Sequence, residues 1–91
     1  MSVTVDIPSL LADAADGRAS VELEGGDVNE LCASLRQQWP ALATLVLNEQ
    51  NRLREHVLLL LNGKVTRHLE QGNPKVSAGD RLAIVQAVSG G

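Results

Sequence analysis

Aromatic side chains are almost absent from this 91-residue chain, which has one tryptophan, no phenylalanine and no tyrosine. That removes the stacking platforms on which single-stranded nucleic-acid binders hold bases. It also leaves the core to Leu, Val, Ile and Ala. The single cysteine, Cys32, can form no internal disulfide and cannot build a metal site alone. Basic residues are few as well. Eight Lys and Arg against eleven Asp and Glu give a formal net charge of −3. That is the wrong sign for binding a phosphate backbone and compatible with docking onto a basic protein groove. No stretch approaches membrane-spanning length, and no basic-then-apolar signal segment opens the sequence. These absences predict no nucleic-acid partner, no membrane and a cytoplasmic location.

What is present is enough for one small globular domain: 44% hydrophobic and 21% charged residues. Val3, Val5 and Ile7 alternate with Thr4 and Asp6, as a half-buried strand does, and Pro8 ends the pattern. Ala19, Val21 and Leu23 alternate in the same way after a loop around Asp16-Gly17, so the two strands read as a hairpin. Gly25-Gly26 breaks the pattern. Asp27 followed by Glu30 has the form of a capping box. Val28, Leu31, Cys32, Leu35 and Trp39 then repeat at helical spacing, one apolar face closed by Pro40. Leu42, Leu45 and Val46 suggest a second, short helix with Pro40 in its first turn, and Asn48 to Arg54 is polar and reads as a loop.

Val57 to Leu61 is apolar at every position and bounded by Asn62-Gly63, which fits a strand covered on both faces. A short edge strand over Val65 to His68 follows, and Gly79-Asp80 precedes a last strand over Leu82 to Val88. The predicted order is β-β-α-β-β-β. A helix with one apolar face must lie across a sheet, with the leucine-rich strand at the sheet's middle. This is an α+β fold of β-grasp (ubiquitin-like) type, a mixed sheet of about five strands wrapped round one main helix plus a short second helix. The predicted domain is 1–88, with 89–91 a flexible Ser-Gly-Gly tail.

Most residues with reactive side chains have plain structural explanations. Cys32 lies between Leu31 and Leu35 and reads as a small core hydrophobe. His56 and His68 have no partner at metal-ligand spacing and read as surface residues. Asp27 and Glu30 are explained by the capping box, and Trp39 reads as a core anchor at the helix end. No nucleophile–base pair or phosphate-cradling glycine loop is evident, so the chain does not read as an enzyme. By alternation, Val57, Leu59 and Leu61 face the helix, and Leu58, Leu60 and Val85 face out. Those three form a candidate partner-binding patch, unless the loop from Asn48 to Arg54 covers it. The sequence closes on Gly90-Gly91, residues without Cβ atoms that suit passage through a narrow channel.

The segment Val76 to Gly91, with Gly79-Asp80 before alternating apolar residues and then Val88-Ser89-Gly90-Gly91, resembles the C-terminal signature of the MoaD/ThiS family of ubiquitin-like sulfur carriers. The opening Val3 to Leu11 and the segment Leu53 to Gly63 are similar to the family too, most of all to its CysO (cysteine-biosynthesis) branch. Many members carry a proline near the position of Gln86, which this chain lacks. The resemblance implies a protein co-substrate. The Gly91 carboxylate would be adenylated with ATP by a MoeB/ThiF-type adenylyltransferase and converted to a thiocarboxylate, with Gly90 giving access. A sulfur-accepting enzyme, such as a PLP-dependent cysteine synthase or the large subunit of molybdopterin synthase, would take the sulfur. No bound cofactor or metal is implied. The alternative is a ubiquitin-like modifier that forms isopeptide bonds through the same glycine.

Overall fold

The computed structural model describes residues 2–66 and 73–86. Strand β1 (Ser2–Asp6) leads through a 3-10 helix (Ser9–Ala15) into β2 (Ser20–Glu24), and helices α1 (Val28–Gln38) and α2 (Pro40–Val46) follow. Strands β3 (Val57–Leu61), β4 (Lys64–Thr66) and β5 (Arg81–Gln86) complete the order. Among the described residues five strands form one mixed sheet in the order β2-β1-β5-β3-β4, in which β1 and β5 run parallel and the other neighbours antiparallel. This is the predicted β-grasp arrangement.

Helix α1 begins where the capping box requires. Asp27 Oδ1 accepts from the Glu30 N–H at 2.8 Å, and Glu30 Oε1 accepts from the Gly26 N–H at 2.7 Å, one residue before the usual position. Gly25 is needed for a close approach, because a Cβ there would lie 3.0 Å from both Glu30 Cβ and Leu31 N. Val28, Leu31, Cys32 and Leu35 of α1 pack with Leu42, Ala43 and Val46 of α2 over Val3, Val5, Val21, Leu23, Val57, Leu59, Leu82 and Ile84, all buried. The alternation of the strands and the helical spacing of α1 thus meet in a single aliphatic core.

Three expectations are corrected. The connection after β1 is a 3-10 helix and not a plain loop: it buries Leu11 and Ala15 and stops at Asp16 and Gly17, both with positive φ. The middle of the sheet belongs to β5, not β3. The two-residue turn Asn62-Gly63 pins β4 against β3, so β3 lies one strand in from the edge. Nor is β3 covered on both faces, since Leu58 and Leu60 are only half-buried. Trp39 packs against the core at the end of α1 as expected, half-buried, with the Arg18 guanidinium 5.6 Å from its ring centroid. The edge strand is Lys64–Thr66 and the last is Arg81–Gln86. His68 and the predicted strand end at Val88 lie outside the described residues, as does the segment 89–91.

Candidate partner-docking face

The surface of the sheet opposite the helices is assembled by strand register. Leu58 stands across from Val85, and Leu60 from Ala83, so the three predicted patch residues are brought together. Leu60 is also opposite Val65 of β4, which is 49% exposed, and Val85 is 36% exposed. Val65 was not foreseen as a member. The signal was available: a two-residue turn at Asn62-Gly63, with φ of 52° and 85°, sets Leu61 opposite Lys64 and hence Leu60 opposite Val65. The predicted start of that strand at Val65 hid this register.

The loop expected to compete for this surface lies elsewhere. Arg36 of α1 donates to Asn48 O at 2.6 Å and to Asn51 Oδ1 at 2.9 Å, and Arg54 donates to Thr44 O of α2. Leu53 packs against the core. The loop is therefore tied to the helical side and does not roof Leu58 and Leu60.

Beyond the patch the same face turns polar. Arg81 makes a two-pronged contact with Asp6, Nε to Oδ2 at 3.0 Å and a terminal nitrogen to Oδ1 at 3.1 Å. Glu22 accepts hydroxyl hydrogen bonds from Thr4 at 2.9 Å and Ser2 at 3.2 Å. Behind Arg81, Asn62 and Asp80 fix the start of β5. The Asn62 amide and then the Ser77 N–H hold the Asp80 carboxyl below its ordinary value.

Among the described residues no side chain is poised for covalent chemistry. Cys32 is buried, and burial pushes its thiol up to about 11, so it stays protonated and is a poor nucleophile. His56 is exposed. Asp27 is occupied with the α1 cap, its carboxyl lowered chiefly by the Glu30 N–H. Among the described residues no group of three or more His, Cys, Asp or Glu could hold a metal, and no helix is long and apolar enough to cross a membrane. Gly90 and Gly91 lie outside the described residues.

A model of the ThiS family matches residues 5–91. The chain belongs to the ThiS family. Among solved structures, it is similar to CysO of Amycolatopsis orientalis, solved in a BexX/CysO complex. The identity is 28% and the TM-score 0.81, covering 98% of this chain and 99% of that one. SAMP1 of Haloferax volcanii is 30% identical with a TM-score of 0.79, and both chains are covered completely. CysO of Mycobacterium tuberculosis, at 23% identity, shares the fold with a TM-score of 0.80 over 94% of this chain and 99% of that one. A sequence search of curated proteins gives no match.

Proposed function

We propose that the protein is a sulfur carrier, a co-substrate and not an enzyme, with Gly91 as its working residue. A carboxylate is a poor electrophile. Attack of the Gly91 carboxylate on the α-phosphorus of ATP releases pyrophosphate and gives an acyl adenylate. A sulfide-level nucleophile then displaces AMP and leaves the thiocarboxylate. A MoeB/ThiF-type adenylyltransferase would supply the ATP site, and Gly90, without a Cβ, would let the chain enter it. The acceptor would be a biosynthetic enzyme that uses the thiocarboxylate to make cysteine, molybdopterin or another sulfur-containing metabolite.

The family match running through residue 91 carries this reading, and similarity to CysO supports it. The face around Leu58, Leu60 and Val85 would dock the activating enzyme, since its exposed apolar side chains lose water only when covered. The test is intact-mass measurement of the protein incubated with the adenylyltransferase, ATP and a sulfur source. The expected product has one oxygen replaced by sulfur at Gly91, and it reverts when the acceptor and its substrate are added. Gly90→Val and deletion of Gly91 should both prevent the exchange. Activation that survives both changes would overturn the reading.

Similarity to SAMP1 favours a second reading, because the SAMP1 of Methanosarcina acetivorans, 29% identical to this chain, is named small archaeal modifier protein 1. On that reading the same adenylate is attacked by a lysine amine of a target protein. Ladders of conjugates that vanish with deletion of Gly91 would identify it.

A further inference from the structure

The face opposite the helices has two chemically different halves. One row crosses all five strands in register: Ser20, Asp6, Ala83, Leu60, Val65. It is polar on β2 and β1 and apolar on β5, β3 and β4. Leu58 and Val85 extend the apolar half toward the Gln86 end of β5. Glu22 lies in the opposite corner with Thr4 and Arg81 in its row, and Glu24 lies beyond it. Three strand spacings, about 14 Å, separate the strand of Leu58 from that of Glu22.

The two corners differ in how their groups are held. Asp6 is neutralised by Arg81 at the seam between the halves. Glu22 instead has its two oxygens hydrogen-bonded by uncharged hydroxyls, Ser2 and Thr4. Those bonds orient the carboxylate and leave its charge in place. Such an acceptor, preset on a rigid sheet, loses little conformational freedom when a guanidinium or ammonium group arrives. A charge at this distance from an apolar contact acts chiefly on the rate and orientation of encounter.

We infer that this face takes a protein partner whose docking surface joins an apolar ridge, over Leu58, Leu60, Val65 and Val85, to an Arg or Lys side chain received by Glu22. The inference rests on the proposed activation by an adenylyltransferase. It adds that enzyme's surface chemistry and its orientation: the apolar ridge lies at the Gln86 end of β5, and the basic group lies across the sheet from it. Two contacts of different kind, far apart on one plane, fix rotation about the docking axis, which an apolar contact alone leaves free.

The test measures association and dissociation rates with the cognate MoeB/ThiF-type adenylyltransferase in low and high salt. It compares wild type, Glu22→Gln, and Glu49→Gln on the loop tied to the helices. Glu22→Gln preserves shape and hydroxyl contacts and removes one charge; Glu49→Gln makes the same net change elsewhere. In low salt, Glu22→Gln is expected to slow association several-fold, Glu49→Gln to leave it nearly unchanged, and high salt to erase the difference. Equal slowing by both variants would mean that only net charge acts and would overturn the inference. So would unchanged rates for Glu22→Gln, with adenylation of Gly91 intact, leaving the carrier function standing. If wild type is neither bound nor adenylated, the carrier reading falls and this inference with it.

Discussion

Asn62 and Arg81 are joined twice: the Asn62 N–H donates to Arg81 O at 2.8 Å, and the Arg81 N–H donates to Asn62 Oδ1 at 2.9 Å. Asn62 has a φ of 52°, a conformation that asparagine tolerates better than most residues. The hairpin turn between β3 and β4 and the entry to β5 are thereby one unit. Replacement Asn62→Ala removes the side-chain bonds to Arg81 and Asp80 and strains the backbone. Urea unfolding should show a loss of about 1–2 kcal/mol, with a smaller loss for Asn62→Gly, which relieves the strain and loses the same bonds.

Two carboxylates should set the acid limit of the fold. Asp27 and Asp80 both titrate below their ordinary value, Asp27 chiefly through the Glu30 N–H and Asp80 chiefly through the Asn62 amide. A depressed folded-state pKa stabilises fully above the unfolded pKa, and that contribution is lost as pH falls through the folded value. The melting temperature should therefore hold from pH 7 to 5 on account of these groups and fall below about 4. In the double variant Asp27→Asn, Asp80→Asn the melting temperature should start lower at pH 7. Its difference from wild type should shrink in strong acid.

Adjacent leucines on β3 should respond in opposite ways to one substitution. Leu59 is buried under the helices, and Leu60 is half-buried on the other face. An aspartate at Leu59 must be desolvated without a partner and should unfold the domain. Leu60→Asp should keep a cooperative melt and lose adenylation. Circular dichroism beside an ATP–pyrophosphate exchange assay separates the two outcomes.

Gln86 carries a polar atom in a poor setting. Its Oε1 is buried and lacks a hydrogen-bond partner among the described residues, opposite buried Val57. Gln86→Met keeps the length of the side chain and removes the unsatisfied carbonyl. It should stabilise by about 1 kcal/mol, read as a melting temperature about 4–8 °C higher for a domain of this size.

The elements that could be read from the sequence are those whose determinants are local. Alternation gave β1, β2 and β5, and helical spacing with Asp27 and Glu30 gave α1. Strand order is a different kind of information. The parallel pairing of Val5 with Leu82 joins opposite ends of the chain, and no local pattern encodes it. The 3-10 helix was missed because Ser9–Ala15 buries only Leu11 and Ala15, too few apolar positions to show a period. At the docking face, Leu58, Leu60 and Val85 followed from alternation. Glu22 did not, because its neighbours Ser2 and Thr4 come from another strand.

The central place of β5 has a consequence for how the chain is made. Strands β1 and β2 form one hairpin and β3 and β4 another, and β5 is the strand that touches both. Asp6 waits for Arg81, 75 residues later. During synthesis the two hairpins cannot join into one sheet until β5 has emerged from the ribosome. Parallel pairing of strands so far apart in the sequence is slow compared with local hairpin formation. A chain broken off before Arg81 has two unjoined hairpins and an open core, prey for proteases. The sheet is thus closed by the last of its described strands.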